Sequence, residues 1–303
     1  MYEQAYELVQ VNGYDYLGHA ARVALCSYGI TNIGFEEDDF LLGFAESTFA
    51  QGKYNDVILI YLCKYYNSAT KAMAKLWKVA GEFQIDTFDL EERILTQMLY
   101  TTDYTPYAEA IYDSYYAGGG REFVCMAYLS YFANSYLTGD ALVPNHVFVQ
   151  IKERLLKGQE LNGACKLGLL KYLSEKDHLS EKQLDIADML LGEYTGKNIC
   201  FAFYRKLPPM LQRKYQLYDK FFIEYHTDPD KRVTVHYRMG EEEYQTEDLI
   251  EVYDGIYVME FILFFGEAVQ YYITENDGGA PQVMESNCIS NNDIFAQENQ
   301  GRY

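Results

Sequence analysis

The spacing of hydrophobic positions changes once along this chain. From Tyr2 to about Asp219 apolar residues recur at three- and four-residue intervals, as on helix faces; after Lys220 they alternate with polar residues, as on strands. The first part divides into segments such as Phe40–Tyr54, Asn55–Tyr66 and Thr70–Phe83. In the second, Val57, Leu59, Ile60, Leu62 and Cys63 give an apolar face wide enough for a buried helix. Start signals recur: Thr105-Pro106, a capping box from Ser180 to Gln183, and the first-turn acids Asp86 and Asp89. Stop signals recur too, at Gly52, Gly118-Gly119-Gly120, Gly139, Gly158 and Gly196. Helices of roughly 10 to 18 residues with short connections predict stacked helix hairpins. "LCKYYNS" and "LLKYLSE" share a Leu-x-Lys-Tyr core, and "AESTFAQGKYND" has a tetratricopeptide-like cast. A solenoid of degenerate repeats is expected, with a closed α/α array or an irregular bundle as alternatives.

Beyond Lys220 the pattern predicts a small all-β domain. "KFFIEYH" and "RVTVHYRM" flank the turn residues Thr227 to Lys231 and read as a first hairpin. "YQTEDLIEVY" leads to Asp254-Gly255, and Ile256–Glu275 follows. That last stretch is about long enough to span a bilayer, yet it carries Glu260 and Glu267 and alternates at period two. It therefore reads as a hairpin around Gly266-Glu267 with a type II′ turn. Tyr257, Met259, Phe261, Leu263 and Phe265 would form its core face, with Glu260 on the other face seeking a partner such as Arg238. Four or five strands about ten residues apart have the rhythm of an immunoglobulin-like sandwich. The expected class is thus α+β and multidomain. An all-α helical-repeat domain (1–216, tetratricopeptide-like or α-solenoid) precedes an immunoglobulin-like β-sandwich (217–276), and 277–303 is a polar linker or tail. The segment Leu207–Leu217 is expected to abut the sandwich.

Composition and charge narrow the function classes. A hydrophobic fraction of 49% with 23% charged residues is a globular balance. The net charge is −20; Asp219 onward holds 18 acidic and 5 basic residues, net −13, which leaves −7 for the first 218 positions. A nucleic-acid binder needs the opposite field, and anionic lipid is disfavoured for the same reason. The start Met1-Tyr2-Glu3 has no signal-peptide pattern, and the six cysteines form no CxxC. Reduced thiols in a cytoplasmic setting are expected, with Cys26, Cys63, Cys125, Cys165 and Cys200 buried.

Candidate chemistry is sparse. There is no phosphate-loop, nucleophile-elbow or zinc-protease motif. His19, His146, His178, His226 and His236 are scattered, and a metal site from the last two is disfavoured. Gly118–Arg121 could cradle an anion but reads better as a helix stop. Glu91-Glu92-Arg93 reads as first-turn acids with a local arginine pair; one of the acids could otherwise serve glycoside chemistry with a mate elsewhere. Trp77 reads as a core anchor. The 31 tyrosines, among them Tyr65-Tyr66, Tyr115-Tyr116, Tyr215 and Tyr271-Tyr272, read mostly as packing, with a minority on a binding surface. No catalytic, cofactor-binding or metal residue and no cofactor is assigned.

The phrases "YLCKYYNSATKAMAKLW", "LEERILTQMLYT", "KLGLLKYLSEKDHLSEKQ", "VHYRMGEEEY" and "FILFFGEAVQYYITE" resemble a family of large, multidomain proteins from anaerobic Gram-positive bacteria, catalogued as a domain of unknown function. The resemblance covers roughly residues 58–275 and implies a longer parent; it carries no site residues. The leading expectation is a non-catalytic module that binds protein and inserts in no membrane. The alternative is glycan recognition or processing, through the sandwich or through carboxylates of the helical part. Exposed aromatic platforms or two facing carboxylates would mark that alternative.

Overall fold

The computed structural model describes residues 46, 47, 49, 50, 70–101, 105–139, 143, 145–275 and 282–291. The predicted helix Asn55–Tyr66, most of Phe40–Tyr54, and Cys26, Cys63, His19 and Tyr65-Tyr66 lie outside them. The chain divides into two compact units, residues 1–132 and 133–303.

In the first unit, α1 (Thr70–Glu82), α2 (Phe88–Thr101) and α3 (Ala108–Ala117) pack in sequence order, followed by the start of α4 (Glu122–Thr138). Each buries one stripe: Met73, Leu76 and Ala80 on α1, Leu90, Ile94 and Met98 on α2, and Ala108, Ile111 and Tyr115 on α3. These fall on the i, i+3, i+4, i+7, i+8 positions that amphipathicity demands. The start of α3 differs from expectation. Thr105 and Pro106 form a turn before the helix, with Ala108 N–H donating to Thr105 O. Gly118–Gly120 is the expected stop. The N–H of Gly120 donates to Tyr115 O and that of Gly119 to Tyr116 O, the two bonds of a Schellman motif.

In the second unit, α5 (Asn145–Leu156), α6 (Gly163–Ser174) and α7 (Glu181–Thr195) again pack in sequence order, followed by a 3₁₀ turn (Ala202–Lys206) and α8 (Pro209–Lys214). Gln183 Oε1 accepts the Ser180 N–H at 2.9 Å, one arm of the predicted capping box. α7 ends at the predicted stop, with Gly196 as its C-cap, and the left-handed residues that follow α7 and α8 are Asn198 (φ 58°) and Gln216 (φ 55°). Among the described residues no strand precedes Lys220.

Among the described residues seven strands follow: β1 (Lys220–His226), β2 (Val233–Met239), β3 (Gln245–Asp248), β4 (Ile250–Tyr253), β5 (Ile256–Ile262), β6 (Ala268–Glu275) and β7 (Gln282–Ser290). They form two antiparallel sheets ordered β1-β5-β4 and β3-β2-β6-β7. Three sequence expectations are corrected here. β1 and β2 are not a hairpin, because β1 pairs with β5 while β2 pairs with β3 and β6. β5 and β6 are not a hairpin either: the chain passes from one sheet to the other between them. Local alternation cannot distinguish a hairpin from such a crossing, because each strand buries one face in both cases. Gly266 does take a positive φ of 88°, but as the third residue of a Phe264–Glu267 turn closed by Glu267 N–H to Phe264 O at 3.0 Å. That is a type II pattern rather than II′.

The third correction is the tail. Residues 282–290 are a strand along β6, and Asn291 pins the β5–β6 turn. Its Nδ2 donates to Leu263 O at 2.6 Å and its N–H to Glu267 O at 2.9 Å. Polar composition hid β7 because an edge strand buries little side chain. Between the sheets lie Ile223, Val235, Leu263, Val269 and Ile273, with Tyr257, Phe261 and Tyr271. The expected core face Tyr257–Leu263 is therefore observed, except that Phe265 is 63% exposed beyond the crossing.

The other face of the three-stranded sheet meets the helices of its unit. Tyr204 packs edge-on to Phe222 with ring centroids 6.5 Å apart. At the edge of the inter-sheet core the Arg205 guanidinium lies 4.0 Å over Phe221, and its Nη1 donates to Leu217 O and Tyr218 O. The contact with the strands is made by the 3₁₀ turn Ala202–Lys206, upstream of the expected Leu207–Leu217 segment. Glu260 pairs with Lys220 at 2.8 Å, not with Arg238, because β5 lies beside β1.

Candidate functional site

Three polar assemblies could carry function. The first centres on Glu91, 2% exposed, whose Oε1 accepts from Trp77 Nε1 (2.9 Å), Thr87 Oγ1 (2.8 Å) and Ser114 Oγ (2.7 Å). One carboxylate oxygen thereby ties α1, α2 and α3 together. Glu92, about 100° further round the helix, accepts instead from Tyr115 Oη and from Arg121 Nε (3.0 Å) and Nη2. The hydrogen bonds from Arg121 and Tyr115 hold the Glu92 carboxyl below the usual range; burial and the Glu92 hydrogen bond push the Tyr115 phenol up. The arginine on Glu92 is Arg121, not the expected neighbour Arg93. The two acids diverge into separate networks that hold helices.

The second is a cleft of about 460 Å³ in the second unit, between the end of α7 and strands β3–β5. Its acids are engaged: Glu260 with Lys220, Glu247 with Tyr237 Oη (2.7 Å), and Asp248 with Thr234 Oγ1 (2.8 Å) and Arg232 Nε (3.0 Å). Cys200 also lines the cleft, and burial pushes its thiol pKa up, which disfavours the nucleophilic thiolate. Among the described residues no group of three or more His, Cys, Asp or Glu side chains is arranged to hold a metal ion.

The third assembly is the outer face of the four-stranded sheet, and it is the most extended. Register places its side chains in rows. Asp248, Thr234 and Thr274 form one; Thr246, His236, Tyr272 and Ser286 the next; Arg238, Gln270 and Cys288 the third, with Tyr244 at its β3 end. The members hold one another. His236 stacks on Tyr272 at 4.4 Å with the rings 8° from parallel. Its Nδ1 meets Thr246 Oγ1 at 3.0 Å and its Nε2 meets Thr274 Oγ1 at 3.1 Å, hydroxyls that serve either tautomer. Arg238 donates to Gln270 Oε1 through Nε (3.0 Å) and Nη2 (2.8 Å), and its guanidinium lies 4.9 Å from the Tyr244 centroid. Tyr244, 45% exposed, meets Tyr272 edge-on at 5.2 Å. The Thr234 hydroxyl and then Arg232 hold the Asp248 carboxyl below its usual range. A face of this kind presents hydroxyl, amide, guanidinium and aromatic surface with side chains already ordered, so docking costs little further entropy.

Sequence reasoning placed "RVTVHYRM" on a strand but did not bring His236 to Tyr272 or Arg238 to Gln270. His226, its supposed hairpin partner, lies on the other sheet, where its Nε2 meets Glu224 Oε1 at 2.9 Å and its Nδ1 meets Thr138 O at 2.8 Å. His146 is buried in α5 and its pKa is pushed down to about 4 by that burial. Trp77 is half-buried and bonded to Glu91. Tyr215 donates to Asp188 Oδ1 at 2.7 Å and holds α7 to the end of α8. Cys125 and Cys165 are buried and Cys200 is half-buried. Among the described residues no helix is long and apolar enough to cross a membrane.

No curated protein and no solved structure matches the chain. The C-terminal profile of a family of unknown function, DUF5717, matches residues 38–303. That is most of the chain's length, and the chain belongs to this family.

Proposed function

We propose that the chain is a non-catalytic interaction module that binds protein through the outer face of its four-stranded sheet, within a longer multidomain bacterial protein. The observation that carries the reading is the ordered array of His236, Tyr272, Tyr244, Arg238 and Gln270 on the outer sheet face. Strand order supports an immunoglobulin-like class for the sandwich. β1-β5-β4 against β3-β2-β6-β7 corresponds to strands B-E-D against C′-C-F-G, with no counterpart of strand A among the described residues. In that class the C-F-G sheet is a common docking surface. Packing of α1 on α2 and α2 on α3, and of α5 on α6 and α6 on α7, supports a repeat-like stack for the helical part. Glycan recognition is the second reading, favoured by Tyr244 standing exposed beside Arg238 and Gln270. One face of each tyrosine ring is already covered, by His236 and by Arg238, and that weighs towards protein. The test compares the full chain with its Arg238→Glu/Tyr272→Ala variant in protein capture from cell extract and in binding to an oligosaccharide array. Proteins captured by the first and lost by the second are expected. An identical captured set, or oligosaccharide binding alone, would overturn the reading.

A further inference from the structure

We propose that His226 is a protonation-gated latch on the last turn of α4: the charged imidazolium ties Thr138 to β1, and the neutral ring lets that turn go. Every contact of the latch lies within the second unit, to which residues 133–138 of α4 belong. The last four carbonyls of a helix have no partner inside it. At the end of α4 each of them receives a donor. The Gly139 N–H serves Ser135 O at 3.1 Å, and Lys171 Nζ from α6 serves Tyr136 O (2.8 Å) and Leu137 O (3.0 Å). The fourth, Thr138 O, lies 2.8 Å from His226 Nδ1.

The protonation state follows from the acceptors. A backbone carbonyl has no proton to give, so Nδ1 donates to Thr138 O. Nε2 lies 2.9 Å from Glu224 Oε1, in a carboxylate whose other oxygen accepts the Ala202 N–H at 2.7 Å, so Nε2 donates too. A ring that donates from both nitrogens is an imidazolium. His236 on the other sheet meets two hydroxyls and is under no such demand. The negative end of the α4 dipole favours the same charge. The His226 side chain is 35% exposed, so bulk pH reaches it. Glu224 on β1 favours the cation and Lys171 on α6 opposes it. Lys171 in turn faces Glu175, at the end of α6, and Lys206 of the 3₁₀ turn. Asp254, between β4 and β5, is held by Asn134 Nδ2 of α4 at 3.3 Å. The hydrogen bond to Glu224 outweighs burial and leaves the His226 pKa raised. The latch is therefore closed below about pH 6.5 and opens as pH rises through the raised value. A charge-assisted bond is about twice as strong as a neutral one, so the neutral ring keeps Nε2–H on Glu224 and gives up Thr138.

Nitrogen NMR of the His226 ring and amide hydrogen exchange on the full chain test this. Below about pH 6.5 both ring nitrogens should carry protons. Protection factors of the Thr138 and Gly139 amides, which already allow for the intrinsic pH dependence of exchange, should fall about tenfold between about pH 6 and pH 9. Amides of α7 should keep theirs. Glu224→Gln should move the fall to lower pH, and His226→Ala should give the low protection at every pH. A singly protonated ring at about pH 6 overturns the proposal, as does protection at Thr138 and Gly139 that ignores pH. A fall shared equally by α7, or one that Glu224→Gln leaves in place, reports general loosening and overturns it as well. The wild-type measurements decide even if a variant fails to fold.

Discussion

The two sheets of the second unit are built from similar alternating strands and meet different surroundings. The three-stranded sheet is enclosed on both sides. Ile223, Tyr257 and Phe261 face the other sheet, and Phe222, Val258 and Ile256 are buried on the side of the helices. The polar groups on that side are consumed in holding it. Glu224 Oε2 accepts the Ala202 N–H at 2.7 Å, and Glu224 Oε1 takes His226. The four-stranded sheet has one face in the core and the other in water, and its polar residues satisfy one another instead. An enclosed face spends its polar groups on cohesion; an open face keeps them ordered and available.

This contrast can be broken by substitution. Phe261→Ala should cost about 3–5 kcal/mol in urea unfolding, as for a packed aromatic between sheets. Ile256→Ala, on the helix-facing side, should cost about 2–5 kcal/mol. A value near zero would show that the helices do not close that face.

The junction should also be sensitive to pH. The hydrogen bond to Glu224 raises the His226 pKa against the effect of burial. Burial works to raise Glu224, but its bonds from His226 and the Ala202 N–H outweigh it and hold that carboxyl below the usual range. The histidine's contribution is complete below about pH 6.5 and is lost as pH rises through its raised value. The glutamate's contribution is complete above its ordinary pKa, about 4.3, and is lost as pH falls through its lowered one. Urea midpoints should therefore separate wild type from His226→Asn most near pH 5 to 6, and the gap should close towards pH 9. His146 acts oppositely, since a buried neutral histidine loses stability below about pH 6.5, and it is common to both proteins.

Smaller effects sharpen the comparison. Glu267→Asn should cost about 0.5–1.5 kcal/mol, because the Glu267 carboxylate accepts the Phe264 N–H at 2.7 Å. Gln270→Ala on the open face should move stability by no more than about 0.5 kcal/mol while weakening any partner held there.

What the sequence determined by itself was local. The change of period near Lys220, the buried stripes of α1 to α3, the alternation Tyr257-Met259-Phe261-Leu263 and the stop at Gly118–Gly120 each follow from neighbours within one turn or one strand. The left-handed residues Asn198 and Gln216 after α7 and α8 were less legible, because their bonds and not a glycine define them. The tertiary structure alone decided which strands pair, and pairing set the site. His236 reaches Tyr272 because β2 lies beside β6, and Lys220 reaches Glu260 because β1 lies beside β5. β7 became a strand only because β6 offered it backbone partners. Periodicity records which face of a segment is buried, whereas partner choice depends on the whole set of faces that must be covered at once.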